Sequence, residues 1–321
     1  MLYDAIGRAI RYIRISVTDR CNFRCRYCMP SEGVKWISHD EILRYEEILR
    51  VVKACAQLGV DKVRITGGEP LLRKGILSFI QEVRAVEGIR EIGLTTNGSL
   101  LEEYAPLLKE AGINRINISL DTLKRERFQE MTGQDALAQV LAGIQKAEEV
   151  GMFPIKINMV VMRDFNLDEI ADFAAWTKEK NYQIRFIEYM PFCQEKNYLI
   201  TAEEMKDKLA LAGHTQLIPQ VTRSEHVKTY RLPQSKGSLG FISPVSQHFC
   251  DSCNRIRLTA EGYVKLCLFS NQDYLLRDDL RAGISDEALQ EKLKELVWNK
   301  PRAHHLDQGE ICSRAMSRIG G

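Results

Sequence analysis

The chain has 321 residues, of which 45% are hydrophobic and 27% are charged, a balance typical of globular proteins that excludes the disordered, collagenous and coiled-coil classes. Its 45 basic and 43 acidic residues leave a formal charge of +2, which is too balanced to predict nucleic-acid binding. No apolar run approaches the roughly 20 residues of a membrane helix, and the first residues lack an apolar signal core. We therefore expect about two domains, a cytoplasmic location, no nucleic acid and no membrane partner.

Strand-like and helix-like segments alternate along the first two thirds of the chain. The predicted strands begin near Tyr12, Lys62, Glu91, Arg115, Pro154 and Gln183. Helical periodicity predicts a helix at 39–58 with Ser38 and Glu41 as a capping box, and Thr201 with Glu204 begins a later helix. Six strand-then-helix units predict the α/β class with a parallel sheet, either open or curled into a barrel.

The alternation of strands and helices ends before the last third of the chain. The segment after Pro219 is rich in Ser, Gly and Pro, and a final long helix is predicted at about 285–298. We therefore predict two domains, 1–217 and 218–321.

Polar and apolar residues alternate in the predicted strands, although a parallel strand covered on both faces is normally apolar throughout. Because side chains alternate across a strand, the polar positions share one face. Five of them are basic: Arg14, Lys62, Arg64, Lys156 and Arg185. Cations gathered in a barrel lumen repel one another and lose hydration, which predicts an anion such as a polyphosphate between them. The alternative is that the strands are simply amphipathic and that some of these residues pair with Asp or Glu.

Nine cysteines, an odd number without a signal peptide, argue against a disulfide framework. Six of them form two groups: Cys21, Cys25 and Cys28 near the start, then Cys250, Cys253 and Cys267 near the end. The first group has the form C-x3-C-x2-C, and three such thiolates can hold three irons of a [4Fe-4S] cluster and leave one iron open. The alternative is a structural zinc site completed by His39 or by a distant cysteine.

The C-x3-C-x2-C motif is typical of the radical S-adenosylmethionine superfamily, and two further segments resemble it. Gly67-Gly68-Glu69-Pro70 ends the second predicted strand, where that superfamily carries a methionine-binding segment. The polar end of the fourth strand, residues 119–121, lies where that superfamily contacts the cofactor. Nearly the whole chain resembles the MoaA family, the GTP 3′,8-cyclases of molybdenum cofactor biosynthesis. The segments that carry this resemblance are 14–25, 64–70, 95–98, 250–257 with Cys267, and the final Gly320-Gly321.

The resemblance implies an incomplete (β/α)6 barrel of the TIM type, closed by a smaller C-terminal iron–sulfur domain. It also implies two [4Fe-4S] clusters and S-adenosyl-L-methionine as cofactors. The reduced first cluster would cleave S-adenosylmethionine to a 5′-deoxyadenosyl radical, which takes hydrogen from C3′ of GTP. C3′ then attacks guanine C8 and gives (8S)-3′,8-cyclo-7,8-dihydroguanosine 5′-triphosphate, the first step of molybdopterin biosynthesis. The chain is thus expected to be a GTP-binding lyase.

The resemblance also assigns roles to single residues. The residues expected to contact S-adenosylmethionine are Tyr27, Gly68, Ser119 and Met190. The residues expected to bind GTP are Arg14, Arg64, Thr95, Lys156, Arg185, Arg255, Ile256 and Arg257, with Lys62 as a further contact. Barrel-rim packing is the alternative role for Met190. The final Gly320 and Gly321 are expected to reach the active site, the alternative being a frayed end.

The second cysteine group, C-x2-C-x13-C, is implied to hold the other [4Fe-4S] cluster, whose open iron would bind the guanine ring. A zinc site completed by His248 or Cys312 is the alternative. Cys55 lies on an apolar helix face and is expected in the core, while no role is assigned to Cys193 or, outside the zinc alternative, to Cys312. The loop 191–198 departs from the family, which often carries Gly and Trp there, so the details near Met190 stay open.

Two other functions remain open at this point. A different twin-cluster radical enzyme, such as a peptide-modifying maturase, would need a peptide groove and usually more cysteines. A non-catalytic iron–sulfur electron carrier or sensor rarely needs a polar lumen or an open iron. The expected partners are GTP, a cellular electron donor, a pterin-forming MoaC-type enzyme that acts next, and a second copy of the chain in a homodimer. The last two are expected by resemblance only.

Overall fold

The computed structural model describes residues 1–29, 33–190, 198–221, 226–304, 306 and 314–320. Contacts along the chain divide it into two compact units. Unit 1 comprises Met1–Thr95, Pro106–Asn114 and Cys253–Gly321, and unit 2 comprises Thr96–Ala105 and Arg115–Ser252. Both ends of the chain therefore belong to unit 1. The domain boundary near residue 217 stays a prediction. No helix within the described ranges is long and apolar enough to cross a membrane.

The described residues form twelve strands and ten α-helices. The strands are β1 Tyr12–Ser16, β2 Lys62–Thr66, β3 Glu91–Thr96, β4 Arg115–Ser119, β5 Ile155–Val161, β6 Tyr182–Glu188, β7 Ile218–Gln220, β8 Lys228–Arg231, β9 Ser238–Ile242, β10 Arg255–Leu258, β11 Tyr263–Lys265 and β12 Asp273–Leu275. The helices are α1 Tyr45–Gln57, α2 Ile76–Arg84, α3 Leu101–Glu110, α4 Arg125–Thr132, α5 Leu137–Glu149, α6 Ile170–Glu179, α7 Ala202–Leu211, α8 Arg277–Arg281, α9 Asp286–Trp298 and α10 Met316–Ile319. Each of the six predicted strands is present and begins within one residue of its predicted start.

The strands of unit 1 lie in the order β12-β11-β10-β1-β2-β3. β10, β1, β2 and β3 are parallel, and β11 and β12 continue the sheet in antiparallel fashion. The apolar phase of β1 and β2 is buried, as Ile13, Ile15, Val63 and Ile65 show. Cys55 on α1 is also buried in the core, and burial raises the pKa of its thiol to about 12.

The strands of unit 2 lie in the order β4-β5-β6-β9-β8-β7. β4, β5, β6 and β9 are parallel, and β8 and β7 extend the sheet in antiparallel fashion. Burial alternates at every residue of β5 and β6, so one face of these strands is tightly packed and the other is more open. The packed face includes Phe186 and Phe241, whose ring centroids are 5.6 Å apart. The alternation expected from the sequence is therefore present.

Helix α1 begins at Tyr45, later than the predicted start at residue 39. Arg281 donates a hydrogen bond to the carbonyl oxygen of Ile42 at 3.1 Å, so the backbone before the helix bonds to a side chain instead of continuing the helical ladder. The hydroxyl of Ser38 does donate to the carboxylate of Glu41 at 2.7 Å, but this contact closes a turn outside the helix. The predicted capping box is therefore wrong for α1.

Two other helix starts agree with the sequence. Thr201 donates its N–H to Glu204 Oε2 at 2.9 Å, and Glu204 donates its N–H to Thr201 Oγ1 at 3.3 Å. Ser285 precedes α9, and its hydroxyl accepts the N–H of Ala288 at 3.2 Å. Both side chains thus satisfy amide groups that have no partner inside the helix.

Glu188 is fully buried at the end of β6 and joins three segments of unit 2. Its carboxylate accepts backbone N–H groups from Ala202 at 3.0 Å, from Val245 at 3.2 Å and from Ser246 at 3.0 Å. A buried carboxylate is tolerated only when its oxygens are bonded in this way. The end of β6 is thereby attached to the start of α7 and to the loop after β9.

Replacing this carboxylate should destabilise the protein. Glu188→Gln puts an NH2 group against backbone N–H donors, so we expect the free energy of unfolding to fall by about 1.5–3 kcal/mol. Urea denaturation measures the change. The control Glu203→Gln alters an exposed carboxylate that pairs with Lys206 and should cost less than about 1 kcal/mol. Equal losses in the two variants would contradict the assignment.

Candidate functional site

The first cysteine group lies in the loop of unit 1 that follows β1. The N–H groups of Cys28 and Met29 both donate to the carbonyl oxygen of Cys25, at 2.9 and 3.1 Å. Cys21 Sγ accepts the N–H of Phe23 at 3.4 Å, a contact that favours the thiolate. A tight turn thus returns Cys28 to Cys25, and all three thiols are half-buried.

Within the described ranges, no three His, Cys, Asp or Glu side chains already form a metal-binding group. The chemistry of the donor atoms therefore decides whether this loop fits a cluster. Cysteine thiolates are the usual ligands of iron–sulfur clusters, and the loop supplies three of them within eight residues. The residues present fit such a cluster.

Gly67 and Gly68 pack their backbone directly onto the chain that leads to Cys21. Gly68 donates its N–H to the carbonyl oxygen of Thr18 at 2.7 Å, and Glu69 donates its N–H to the carbonyl oxygen of Arg20 at 2.8 Å. A β-carbon on Gly68 would lie 2.3 Å from the carbonyl oxygen of Arg20, closer than any side chain allows. Because both positions are glycine, the segment that follows β2 can pack against the segment that leads to the cysteine loop.

Three arginines of unit 1, here called the arginine row, stand in register on neighbouring parallel strands. Arg14 in β1 pairs in register with Arg64 in β2 and with Arg257 in β10. In β3, Gly93 stands opposite Arg64, and a β-carbon there would lie 2.6 Å from the Arg64 Cζ. The missing side chain makes room for the guanidinium group. The structure thus brings together two of the predicted strand cations and adds Arg257.

Tyr12 lies among these charges, in register with Lys62. Arg64 donates from Nε to the phenol oxygen at 2.9 Å. Burial raises the phenol's pKa, but the charges of Arg64, Arg14 and Arg255 outweigh that effect and lower it to about 8. Burial likewise lowers the pKa of Arg14 to about 10, and repulsion from Arg64 and Arg255 adds to the shift. The positive potential therefore makes the phenol easier to ionise, and such a potential is what an anionic ligand needs.

The C-terminal tail reaches the ends of these strands. Arg257 Nη1 donates to the carbonyl oxygen of Gly320 at 2.6 Å and to that of Ile319 at 3.4 Å. Gly320 has a φ of 69°, and a β-carbon there would lie 2.5 Å from Thr66 Cγ2. Both the backbone conformation and the close approach require glycine. Gly321 lies outside the described residues.

Polar residues of unit 2 form two further rows. Ser119 in β4 is in register with Asn158 in β5, which is in register with Arg185 in β6. Lys156 lies in the row before, in register with Asn117. Because residues in register on parallel strands point to the same face, this face carries two cations beside three amides and a hydroxyl. The third amide is Gln183, which is in register with Lys156 and accepts two hydrogen bonds from Arg185. Three predicted contact residues of unit 2 are thus neighbours.

Several buried polar atoms on these strands have no hydrogen-bond partner among the described residues. In unit 1 this holds for the hydroxyl of Thr95, and in unit 2 for the Oδ1 atoms of Asn117 and Asn158. A buried polar atom without a partner costs stability unless a ligand or water satisfies it. These atoms therefore fit a polar ligand.

The second cysteine group is divided between the units, since Cys250 belongs to unit 2 and Cys253 and Cys267 belong to unit 1. Burial raises the pKa of the Cys253 thiol, but the charges of Lys300 and Arg255 outweigh that effect and lower it to about 7. A thiolate is thus accessible near neutral pH. Thiolate is the form that binds iron or zinc.

The remaining predicted residues are placed as follows. Ile256 is buried and in register with Ile13. Its side chain therefore points to the opposite face of the strand from those of Arg255 and Arg257. A ligand on the arginine face could contact only the backbone of Ile256. Tyr27 and Met190 are half-buried in loops. The residues outside the described ranges are Cys193, Cys312 and Gly321.

Sequence reasoning missed Tyr12, Gly93, Gly240 and Lys300 as parts of these sites. A glycine inside a strand often marks a close approach, and that signal was available for Gly93 and Gly240. A β-carbon on Gly240 would lie 3.3 Å from Arg185 Cγ. Lys300 offers no signal in the sequence, because its neighbours lie far away along the chain.

Comparison with known families divides the chain into two matches. Residues 15–177 match the radical SAM superfamily, and residues 182–306 match the family described as Molybdenum Cofactor Synthesis C. Among similar proteins, the GTP 3′,8-cyclase of Thermodesulfovibrio yellowstonii is 45% identical over 322 residues, which cover 99% of each chain. The GTP 3′,8-cyclase of Moorella thermoacetica is 42% identical over 323 residues and covers the whole of both chains.

Among solved structures, SuiB of Streptococcus suis bound to S-adenosylmethionine has a TM-score of 0.62 and 14% identity over 91% of this chain and 68% of that one. SuiB bound to the precursor peptide SuiA has a TM-score of 0.61 and 15% identity over 98% of this chain and 77% of that one. At this identity the likeness shows the fold alone. The predicted fold class is confirmed: an α/β fold with a mostly parallel sheet, as in the open partial barrels of radical SAM proteins.

The Tyr12 phenol should titrate near pH 8, because its folded-state pKa is lowered to about 8. Ultraviolet difference titration of the protein against Tyr12→Phe measures the phenolate. Since the shift is downward from 10, the Tyr12 contribution to stability is fully present above pH 10 and is lost as the pH falls through about 8. Inorganic triphosphate bound by the arginines adds negative charge and should raise the midpoint.

The control for this titration is Tyr3→Phe, at an exposed position, which should leave the transition near pH 8 in place. A Tyr12 midpoint close to the ordinary tyrosine value, or one indifferent to triphosphate, would show that the arginine charges do not act on the phenol.

Proposed function

The chain belongs to the GTP 3′,8-cyclase family of radical S-adenosylmethionine enzymes, and on that premise we propose which of its residues carry the reaction. Members of this family act in molybdenum cofactor biosynthesis and use S-adenosylmethionine with an iron–sulfur cluster. The observation that carries the proposal is the arginine row, whose potential favours an anion at the strand ends next to the C-terminal tail. A triphosphate would supply the negative charge that this potential favours.

The three cysteines of the first loop would hold the cluster and leave one iron open for S-adenosylmethionine. S-adenosylmethionine bound there would supply the 5′-deoxyadenosyl radical that takes hydrogen from C3′ of GTP. C3′ would then bond to guanine C8, and the resulting guanine radical would take one electron from the reducing system and one proton. The chain's own task is to bind and orient the reactants and to exclude water. Cys21, Cys25 and Cys28 are supported as ligands by their spacing and by the N–H bond to Cys21 Sγ.

We assign the contacts with S-adenosylmethionine to Tyr27, Gly68, Ser119 and Met190. Gly68 has the strongest support, because its backbone packs against the chain that leads to Cys21. Ser119 is supported by its place at the C-terminal end of β4, since the ligand sites of parallel α/β sheets lie at the carboxyl ends of strands. Tyr27 and Met190 are assigned from the family resemblance.

We assign GTP binding to basic and polar side chains of the strands. They are Arg14, Lys62, Arg64, Thr95, Lys156, Arg185, Arg255 and Arg257, with Ile256 contributing backbone atoms. Guanidinium groups bind phosphate oxygens bidentately, and three of the arginines already share one row. The Thr95 hydroxyl, buried without a partner among the described residues, is ready to bond a ligand. Gly320 and Gly321 would lie beside the nucleotide, held through Arg257.

The proposal includes a second [4Fe-4S] cluster on Cys250, Cys253 and Cys267, with an open iron for the guanine ring. Its support is the lowered pKa of the Cys253 thiol and the match of residues 182–306 to Molybdenum Cofactor Synthesis C. Three thiolates leave a coordination position open, whereas a structural zinc site would be closed by a fourth ligand.

The proposed partners follow from the chemistry of the reaction and from the resemblance. A cellular electron donor must reduce the cluster, and a pterin-forming MoaC-type enzyme would take the cyclised product. A homodimer is proposed from the resemblance alone. The proposed location is the cytoplasm, because thiolate-bound clusters need reducing surroundings.

The test uses anaerobically reconstituted protein with a reductant, S-adenosylmethionine and GTP deuterated at C3′. Mass spectrometry should find deuterium in the 5′-deoxyadenosine, because the radical takes the atom from C3′. The control variant Cys25→Ser should form no 5′-deoxyadenosine. Unlabelled 5′-deoxyadenosine from the intact protein would mean that the radical chemistry is present but that the substrate or the position of attack is wrong.

Gly93→Ala tests the arginine row without touching a charge. The added methyl group would displace the Arg64 guanidinium, so we expect the KM for GTP to rise about 10- to 100-fold, the loss of one charge-assisted contact. Steady-state kinetics measure the KM for GTP. Iron analysis measures the cluster content, which should stay unchanged. In a double-mutant cycle, Arg64→Ala should add little in the Gly93→Ala background. Fully additive losses would show that Gly93 does not act through Arg64.

A further inference from the structure

Two buried lysines of unit 1 differ in their partners. Lys265 is fully buried and lies 2.6 Å from the carboxylate of Asp273, an ordinary buried ion pair. Lys300 is 6% exposed, and no ion pair to a carboxylate is formed by it among the described residues. Its amine donates instead to the carbonyl oxygens of Arg255, at 2.9 Å, and Leu266. Burying an ammonium group against carbonyl oxygens alone is unfavourable, so Lys300 needs an anion.

The two carbonyl groups that Lys300 binds belong to the segments that carry the cysteines. Arg255 closely follows Cys253, and Leu266 directly precedes Cys267. Burial lowers the pKa of Lys300, and the thiolates of Cys253 and Cys267 act against that effect. These hydrogen bonds place the ammonium group beside the segments that carry the two cysteines, whose sulfurs can supply the missing negative charge.

The fold holds Lys300 in place from both sides. Its N–H donates to the carbonyl oxygen of Val297 at the end of α9, at 2.9 Å. The residues that follow are bound by Arg8, which donates to the carbonyl oxygens of Pro301 at 2.7 Å and Arg302 at 2.9 Å. Arg8 is itself paired with the buried Asp4 at 2.5 Å. The backbone at Lys300 is thus fixed on both sides, which keeps its amine beside the two cysteine segments.

We propose that Lys300 is the positioning and charge-balancing residue of the second cluster. Its ammonium group joins the segments that carry Cys253 and Cys267 and compensates the negative charge of the thiolate-bound cluster. The inference rests on the proposed assignment of that cluster to the second cysteine group. Reduction adds a negative charge to the cluster, so a fixed cation beside it favours the reduced state and raises the reduction potential.

The experiment isolates the second cluster in the full-length chain by the changes Cys21→Ser, Cys25→Ser and Cys28→Ser. In that background, Lys300→Met removes the charge, and Lys300→Arg keeps it. Redox titration followed by electron paramagnetic resonance measures the potential, and transfer of iron to a chelator measures retention. We expect Lys300→Met to shift the potential to more negative values and to release iron about 10- to 100-fold faster. Lys300→Arg should keep the potential near that of the parent chain.

Lys294→Met is the matched control, because it removes the same charge from an exposed position of α9 and should alter neither quantity. An unchanged potential and unchanged iron release in Lys300→Met would overturn the inference and leave the second cluster in place. If Lys300→Met does not fold, Lys300→Gln decides, since it removes the charge but can still donate to the two carbonyl groups. An unchanged potential there overturns the inference equally.

A different result would concern the proposed function itself. If the triple serine variant binds no cluster, or if Cys253→Ser does not lower its iron content, the second cluster is wrongly assigned and the role of Lys300 falls with it. The two failures are therefore distinguishable by iron analysis before any potential is measured.

Discussion

Positive charge gathered on neighbouring parallel strands is the constraint on which the site depends. Arg14, Arg64 and Arg257 stand in register, so the sheet that fixes their spacing also forces them to repel one another. The chain offsets this repulsion with a phenol, on Tyr12, and with the carbonyl oxygen of Gly320. These groups satisfy hydrogen bonds but carry little negative charge. The remaining positive charge is what the triphosphate of the proposed GTP substrate would neutralise.

Three glycines permit this arrangement, because each allows a different group to come close to the backbone. Gly68 lets one backbone segment lie against the chain before the first cysteine, Gly93 admits a guanidinium group, and Gly320 brings the tail against Thr66. In each case a β-carbon would stand within 2.6 Å of another atom. The glycines therefore act through the volume that they leave open, and positive φ matters only for Gly320.

The proposed role of Lys300 is also charge compensation, with cysteine sulfur in place of phosphate. The arginine row is proposed to bind phosphate, which enters and leaves with the substrate, whereas Lys300 is proposed to balance cysteine thiolates, which stay in place. The two settings differ in their partners, since the arginines stand in register with one another and Lys300 donates to the carbonyl groups of two cysteine-bearing segments. Burial does not separate the two settings, because Arg64 and Arg257 are 6% and 7% exposed and Lys300 is 6% exposed.

The sequence by itself determined the strands, the alternation of polar and apolar positions and the cysteine motifs, because all three depend on neighbours within a few residues. The start of α1 escaped it, because Arg281 binds the carbonyl of Ile42 from more than two hundred residues away. Only the tertiary structure decided which cations meet. Strand register placed Gly93 opposite Arg64, and the packing of α9 brought Lys300 to the segments that carry Cys253 and Cys267. The partner of a charge is set by long-range packing, which leaves no periodic trace in the chain.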